Sequence, residues 1–329
     1  MTRETGPALS VTDLETAFAT DRGSAHAVRG ISFSVQPGET LGLVGESGSG
    51  KSVTALSILR LLPPNGRIVG GAIAIAGLDL LSLSQKAMRR IRGQRIGMVF
   101  QDSMTSLNPV LTVGRQITEA LEAHRRMTHG DARRRAAELL EEVGVPEPAR
   151  RLSQYPHQLS GGLRQRVAVA VALAPGPEVL LADEPTTALD VTIQAQLLEL
   201  LKREQESREM AVVLITHDLG VVAGMADRVA VMYAGRIVEH AATRRLFTVP
   251  RHPYTLGLLD AVPRLDGPLR QRLAAIPGAP PPISEVPSGC PFHPRCPFAF
   301  ERCEADEPEL KETAERHAAA CWAEVREPV

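Results

Sequence analysis

Residues 45–52 read Gly-Glu-Ser-Gly-Ser-Gly-Lys-Ser, a complete match to G-x-x-x-x-G-K-[ST], and they follow the apolar run Leu41 to Val44. Beyond them Ala55, Leu56, Ile58, Leu59 and Leu62 recur at helical spacing, and the pattern must stop before Pro63 and Pro64. The order strand, glycine-rich loop, helix leaves few folds open. Its glycines let successive backbone N–H groups turn inward around an anion, and the helix N-terminus aims the positive end of its dipole at the same place. The loop of Gly45, Glu46, Ser47, Gly48, Ser49 and Gly50 is therefore expected to cradle phosphates. Lys51 would reach the β- and γ-phosphates of a nucleotide, and Ser52 would ligate Mg²⁺.

The rest of the chain continues in the same style. Residues 31–35 (ISFSV) alternate like a half-buried strand, and further short strands are expected at 72–76, 96–100, 179–183 and 212–216. Helices are expected over 131–143, with Ala136, Leu139, Leu140 and Val143 on one face, and over 165–173. Strands alternating with helices predict an α/β fold on a mainly parallel sheet. A hairpin is expected from Arg228 to His240. After Pro250 the chain turns proline-rich, and the stretch from Pro277 to Pro297 excludes regular helix, so order there must come from something else. The expected division is one large domain over 1–249 and an extension over 250–329.

A nucleotide hydrolase also needs a carboxylate on the metal side and a group that activates water. Residues 179–184 (VLLADE) place Asp183 and Glu184 at the end of a buried strand, where ligands bind in open α/β folds. Asp183 is read as the metal-side acid and Glu184 as the base. Residues 159–166 (LSGGLRQR) then put Ser160, Gly161 and Gly162 just before a helix, a second anion-binding N-terminus in one chain.

Together these segments resemble the ABC ATPases, with LSGGLRQR as the family's signature although Leu163 stands where glutamine is commonest. The resemblance implies a mainly parallel sheet with an antiparallel subdomain, and a helical subdomain at about 102–172. It implies ATP and Mg²⁺ as cofactors and a head-to-tail dimer in which the signature of one subunit covers the γ-phosphate on the other's loop. By the same resemblance Gln101 is the glutamine that reaches Mg²⁺ and the attacking water, so that Ser52, Gln101 and Asp183 form the Mg²⁺ set. Ala188-Leu189-Asp190 is the loop between subunits, His217 contacts the γ-phosphate, and Phe18 is the candidate that stacks on adenine.

The end of the chain narrows the resemblance. HPYTLGLL (252–259), AVPRL (261–265), IPGAPP (276–281) and GCPFHPRCPFAFERC (289–303) resemble the extension of the dipeptide and oligopeptide importer ATPases. Cys290, Cys296, Cys303 and Cys321 have five, six and seventeen residues between them, wider than the knuckles of zinc ribbons. All-thiolate ligation in a proline-constrained loop suits an iron–sulfur cluster, and the resemblance implies a [4Fe–4S] cluster there; Zn²⁺ and plain buried thiols are the alternatives. His293 and Arg295, between these cysteines, are either donors beside the ligands or surface residues.

The resemblance implies an ATPase that powers import of dipeptides or oligopeptides, or of another solute such as nickel chelates. It would work with two transmembrane permease subunits, a second and different ATPase subunit, and, indirectly, an extracytoplasmic substrate-binding protein. A soluble ABC ATPase of DNA repair or of ribosomes is the rival class; two cassettes or a long coiled-coil insertion would mark it, and neither is visible. With 37 basic and 38 acidic residues the net charge is −1, so nothing points to a nucleic acid. No apolar run approaches bilayer length and the start lacks a signal-peptide core, which puts the chain at the cytoplasmic face of the membrane, held there by partners.

Overall fold

The computed structural model describes residues 6–21, 23–101, 106–187, 189–262, 276–314 and 316–323. Ala188 and the end of the AVPRL segment lie outside them. Two units share the chain: one takes the start up to Leu9, Val35–Glu39 and Ile75–Val213, the other Ser10–Ser34, Thr40–Ala74 and the chain from Leu214 on.

The second unit is built around the strand Thr40–Val44, every residue of which is buried. It runs parallel to Arg228–Tyr233, with Leu41 opposite Arg228 and Val44 opposite Val231. Gly42 has no side chain because one would fall 2.9 Å from Val222 on the helix Leu219–Met225. The expected hairpin is present: Arg228–Tyr233 turns at Ala234 and Gly235, both left-handed (φ 45° and 82°), and returns antiparallel as Arg236–Ala242. Two successive left-handed residues make the kind of turn whose twist matches its strands. His317–Ala319 then adds antiparallel to Arg236–Ala242, and Lys311–Ala314 to His317–Ala319. The sheet is thus mixed rather than mainly parallel: the expected hairpin sets Arg236–Ala242 antiparallel, and the extension adds two short antiparallel strands that sequence did not predict. A second sheet orders Gly23–Val35, Leu9–Thr20 and Gly66–Ile75 side by side. The strands expected at 31–35 and 72–76 are the ends of these longer ones.

Between Pro277 and Pro297 the only helical piece among the described residues is a single 3₁₀ turn, His293–Arg295. Order comes from side chains, chiefly Phe292, which is 2% exposed and packs with Tyr233, Tyr254 and Leu246 in one core with Val229 and Val231. Residues of the expected extension and of the sheet therefore share one interior.

In the first unit Ile96–Val99 runs parallel to Val179–Asp183, Ile96 opposite Val179 and Val99 opposite Ala182. Val179–Asp183 is buried throughout, as its unbroken apolar sequence requires of a strand covered on both faces. The helices Val113–His124, His129–Glu142 and Gly161–Leu173 belong to this unit. His129–Glu142 starts two residues before the expected point because the Thr128 hydroxyl accepts the N–H of Asp131, a cap that apolar spacing does not reveal.

Candidate nucleotide site and cysteine pocket

In the second unit the loop after Thr40–Val44 has little freedom. Gly45 lies at φ 152°, and a Cβ there would fall 2.2 Å from the carbonyl of Met232. Gly50, at φ 104°, meets the Ala27 carbonyl at 2.5 Å in the same way. Both approaches leave room for hydrogen only, so the glycines are demanded by the neighbouring strands as well as by the turn. Gly235 of the hairpin donates its N–H to the Ser49 carbonyl at 3.0 Å. Lys51 is buried and donates from Nζ to the carbonyls of Gly45 (2.7 Å) and Glu46 (2.8 Å), while its own backbone opens the helix Lys51–Ile58. Ser52 is the second residue of that helix. Glu46 has partners that sequence did not suggest: its N–H donates to the Tyr254 hydroxyl at 2.8 Å and its carboxylate takes two bonds from Arg295.

His217 stands exposed where the strand Ala211–Thr216 ends. Asp218 beside it caps the helix Leu219–Met225, accepting the N–H groups of Gly220 (2.8 Å) and Val221 (3.3 Å), and this locks the turn that presents the imidazole. Phe18 lies on the strand Leu9–Thr20 with its ring against Gly66, where a Cβ would come within 2.8 Å.

In the first unit Asp183 ends its strand 4% exposed, and Glu184 follows at φ 45°, a left-handed conformation that side chains seldom adopt. Its Oε2 accepts both from Gln101 Nε2 at 2.9 Å and from Thr187 Oγ1 at 2.8 Å, one donor distant in sequence and one from the same turn. Gln165, buried inside the signature helix, donates to the carbonyl of Pro185 at 2.7 Å and braces the turn that carries Glu184. Thr187 and Gln165 were not singled out from sequence, because each is one ordinary polar residue until its partner is known.

Ser160 caps Gly161–Leu173, its hydroxyl accepting the N–H of Leu163. Gly161 has open space around its Cα, whereas a Cβ on Gly162 would meet Ile193 at 2.8 Å. Ile193 sits in the first turn of Val191–Arg208, whose cap is Asp190, with Oδ1 accepting the Ile193 N–H at 3.0 Å. The signature and Asp190 are thereby set side by side.

Cys290, Cys296, Cys303 and Cys321 line one small cavity with His252, Phe292 and Trp322. None is in a disulfide. The N–H of Cys290 donates to the carbonyl of Cys303 at 2.8 Å, and Gly289 before it, at φ 67°, makes room for that carbonyl. Burial foremost, with the neighbouring cysteines adding, pushes the Cys290 thiol up to about 11 and that of Cys321 up to about 12; Cys296 is pushed up by burial and by Cys303. Thiols so placed stay protonated unless a cation joins them. Among the described residues no group of three or more His, Cys, Asp or Glu closes on a single metal ion. What the lining offers is four cysteines, the residue type that ligates iron–sulfur clusters. Arg295 is not a surface residue: it is 7% exposed and its guanidinium is bound to Glu46.

Known proteins match the chain along most of its length. Residues 28–187 match the family described as ABC transporter, and residues 238–303 match the oligopeptide/dipeptide transporter C-terminal region. The chain is 53% identical over 316 residues to the oligopeptide transport ATP-binding protein of Mycobacterium tuberculosis, covering 96% of this chain and 52% of that protein. It is 53% identical over 315 residues to a probable peptide ABC transporter ATP-binding protein of Sinorhizobium fredii, covering 95% and 94%. The chain thus spans about half the length of the first curated relatives it matches and nearly all of others. Among solved structures, the dimeric structure of a bacterial ABC transporter cassette is similar with a TM-score of 0.65 and 31% identity, over 72% of this chain and 99% of that one.

Proposed function

Since this chain belongs to the ABC transporter ATP-binding proteins of the oligopeptide and dipeptide type, we propose that it hydrolyses ATP to drive peptide import. The observation that carries the reading is Glu184, held in left-handed backbone after a buried Asp183 and aimed by Gln101 and Thr187. A carboxylate whose Oε2 is fixed by two donors is fit to polarise a water for in-line attack. In this reading the loop from Gly45 to Gly50 with Lys51 and Ser52 binds the phosphates and Mg²⁺. Asp183 and Gln101 serve the metal, His217 the γ-phosphate, Phe18 the adenine, and Ser160, Gly161, Gly162 and Asp190 a second subunit's nucleotide.

Partners follow from the family and from relatives named as transport proteins. Two permease subunits would span the membrane, a second ATPase subunit would complete the pair, and a substrate-binding protein would deliver peptide from outside. The dimeric cassette supports the pairing. No helix among the described residues is long and apolar enough to cross a membrane, which accords with a subunit held at the cytoplasmic face by others. In the cysteine pocket, Cys290, Cys296, Cys303 and Cys321 would hold a [4Fe–4S] cluster, whose contribution when bound is to staple the proline-rich tail.

The test is the ATPase rate of the full chain with its co-purified membrane partners, wild type against Glu184→Gln. General-base loss lowers such rates by about 10²–10⁴-fold, and a variant that kept half the wild-type rate would remove Glu184 from the mechanism. Anaerobic preparation with iron and sulfide analysis checks the pocket: zinc without iron would replace the cluster by an ion.

A further inference from the structure

We propose that Arg295, in the cysteine-bearing tail, is a positioning residue for the nucleotide loop, acting through Glu46. The inference rests on the nucleotide reading above. Arg295 Nη1 and Nη2 lie 2.6 and 3.0 Å from the two carboxylate oxygens of Glu46, a bidentate pair. Its Nε donates to the Pro277 carbonyl at 2.8 Å and Nη1 also reaches the Tyr233 hydroxyl at 3.3 Å, so all three nitrogens are engaged. The guanidinium lies 5.8 Å from the Tyr233 ring centroid and 5.9 Å from that of Phe292. It is stacked in place before it reaches Glu46.

Glu46 is the residue through which this matters, since it is held at three points. Arg295 takes its side chain, the Tyr254 hydroxyl accepts its N–H, and its carbonyl accepts from Lys51 Nζ. Tyr254 is fully buried against Tyr233 and Phe292, with ring centroids 4.7 and 5.3 Å away, and cannot follow a shifting loop. One residue thus links the tail to the lysine that reaches the phosphates. There is an electrostatic side as well. Glu46 sets a negative charge in the loop that must receive an anion, and the bidentate guanidinium offsets it.

The position of Arg295 is itself set by the cysteine segment. His293 N–H donates to the Cys290 carbonyl (2.9 Å), Arg295 N–H to that of Phe292 (3.0 Å) and Cys296 N–H to that of His293 (3.2 Å). These turns fold the five residues between Cys290 and Cys296 so that Phe292 and Arg295 point into the unit together.

The experiment is a double-mutant cycle on the full chain, with MgADP affinity from calorimetry and MgATP kinetics beside it. A charge-assisted pair lost at a binding loop predicts about tenfold weaker MgADP binding for Arg295→Ala and about threefold for Arg295→Lys. Glu46→Gln is expected to weaken binding about threefold. The double variant is expected to bind no worse than Arg295→Ala, because removing the stranded carboxylate restores part of what its partner's loss took away. For Arg295→Ala and Arg295→Lys, turnover at saturating MgATP stays within about twofold, so the change falls on KM. Unchanged affinity in Arg295→Ala overturns the proposal. So does an additive double variant with kcat falling alongside, since that is the mark of general loosening. Should Arg295→Ala fail to fold, Arg295→Lys and Glu46→Gln decide it by the same criterion. A wild-type chain that did not bind MgADP would overturn the nucleotide reading and this inference with it.

Discussion

Glu239 lies on Arg236–Ala242 with no exposed surface, and Glu239→Ala tests how the extension is anchored. One carboxyl oxygen accepts the N–H of Arg251 at 2.6 Å and lies 2.7 Å from His317 Nε2; the other accepts the N–H of His252 at 3.0 Å. His317 is also fully buried, and its Nδ1 has no partner among the described residues, so the ring proton belongs on Nε2, donating to Glu239. Alanine leaves two backbone donors and one imidazole unmet. Buried unsatisfied donors cost about 1–3 kcal/mol each, and breaking a buried pair about 3–5 kcal/mol, so a loss of about 4 kcal/mol is expected. The damage is local, to the turn that starts the helix Pro253–Asp260 and brings Tyr254 to Glu46. Hydrogen exchange of the Arg251 and His252 amides reads it directly. At about 1.4 kcal/mol per tenfold, exchange should speed by about a thousandfold where it proceeds by local opening. Glu239→Gln keeps an oxygen for the N–H groups and should lose clearly less. Acceleration below about tenfold in the alanine variant would refute the reasoning, because the network would then carry no appreciable energy.

Other outcomes follow from the same geometry. Gly45→Ala must displace the Met232 strand or the loop and should abolish MgADP binding while leaving circular dichroism near wild type; Gly48, at φ 81° in open space, should tolerate alanine with only the left-handed penalty of about 1–2 kcal/mol. Burial pushes His252 down to about 4. Between that value and the unfolded value of about 6.5 the unfolded state binds the extra proton, so stability is complete above about pH 6.5 and falls by about 1.4 kcal/mol per unit as pH drops toward 4. His252→Asn, which can still cap the helix, should flatten that part of the profile in urea titrations at pH 7.5 and 5.5; an equally steep loss would place the acid sensitivity elsewhere. Ser160→Ala removes the cap of the signature helix and should cost about 1 kcal/mol, seen as faster exchange of the Leu163 amide.

Much of the site was legible because it is written in contiguous patterns. A loop between strand and helix, an apolar strand ending in two acids, and a serine before two glycines each specify local backbone, and local backbone needs no knowledge of distant residues. The apolar run alone marks Val179–Asp183 to the residue, and the hairpin expected from Arg228 is present. Family likeness supplied the roles of Gln101 and His217, which no local pattern distinguishes from any other glutamine or histidine. Tertiary structure alone decided what depends on pairing across long separations. Arg295 meets Glu46 across 249 positions and Glu239 meets His317 across 78, and neither pair has a spacing rule to betray it. The mixed sheet had the same origin: the short strands of the tail have little signal of their own and form because Arg236–Ala242 offers an open edge to pair with. Sequence determines which segments can take a shape; burial and closure then determine which polar groups must find one another.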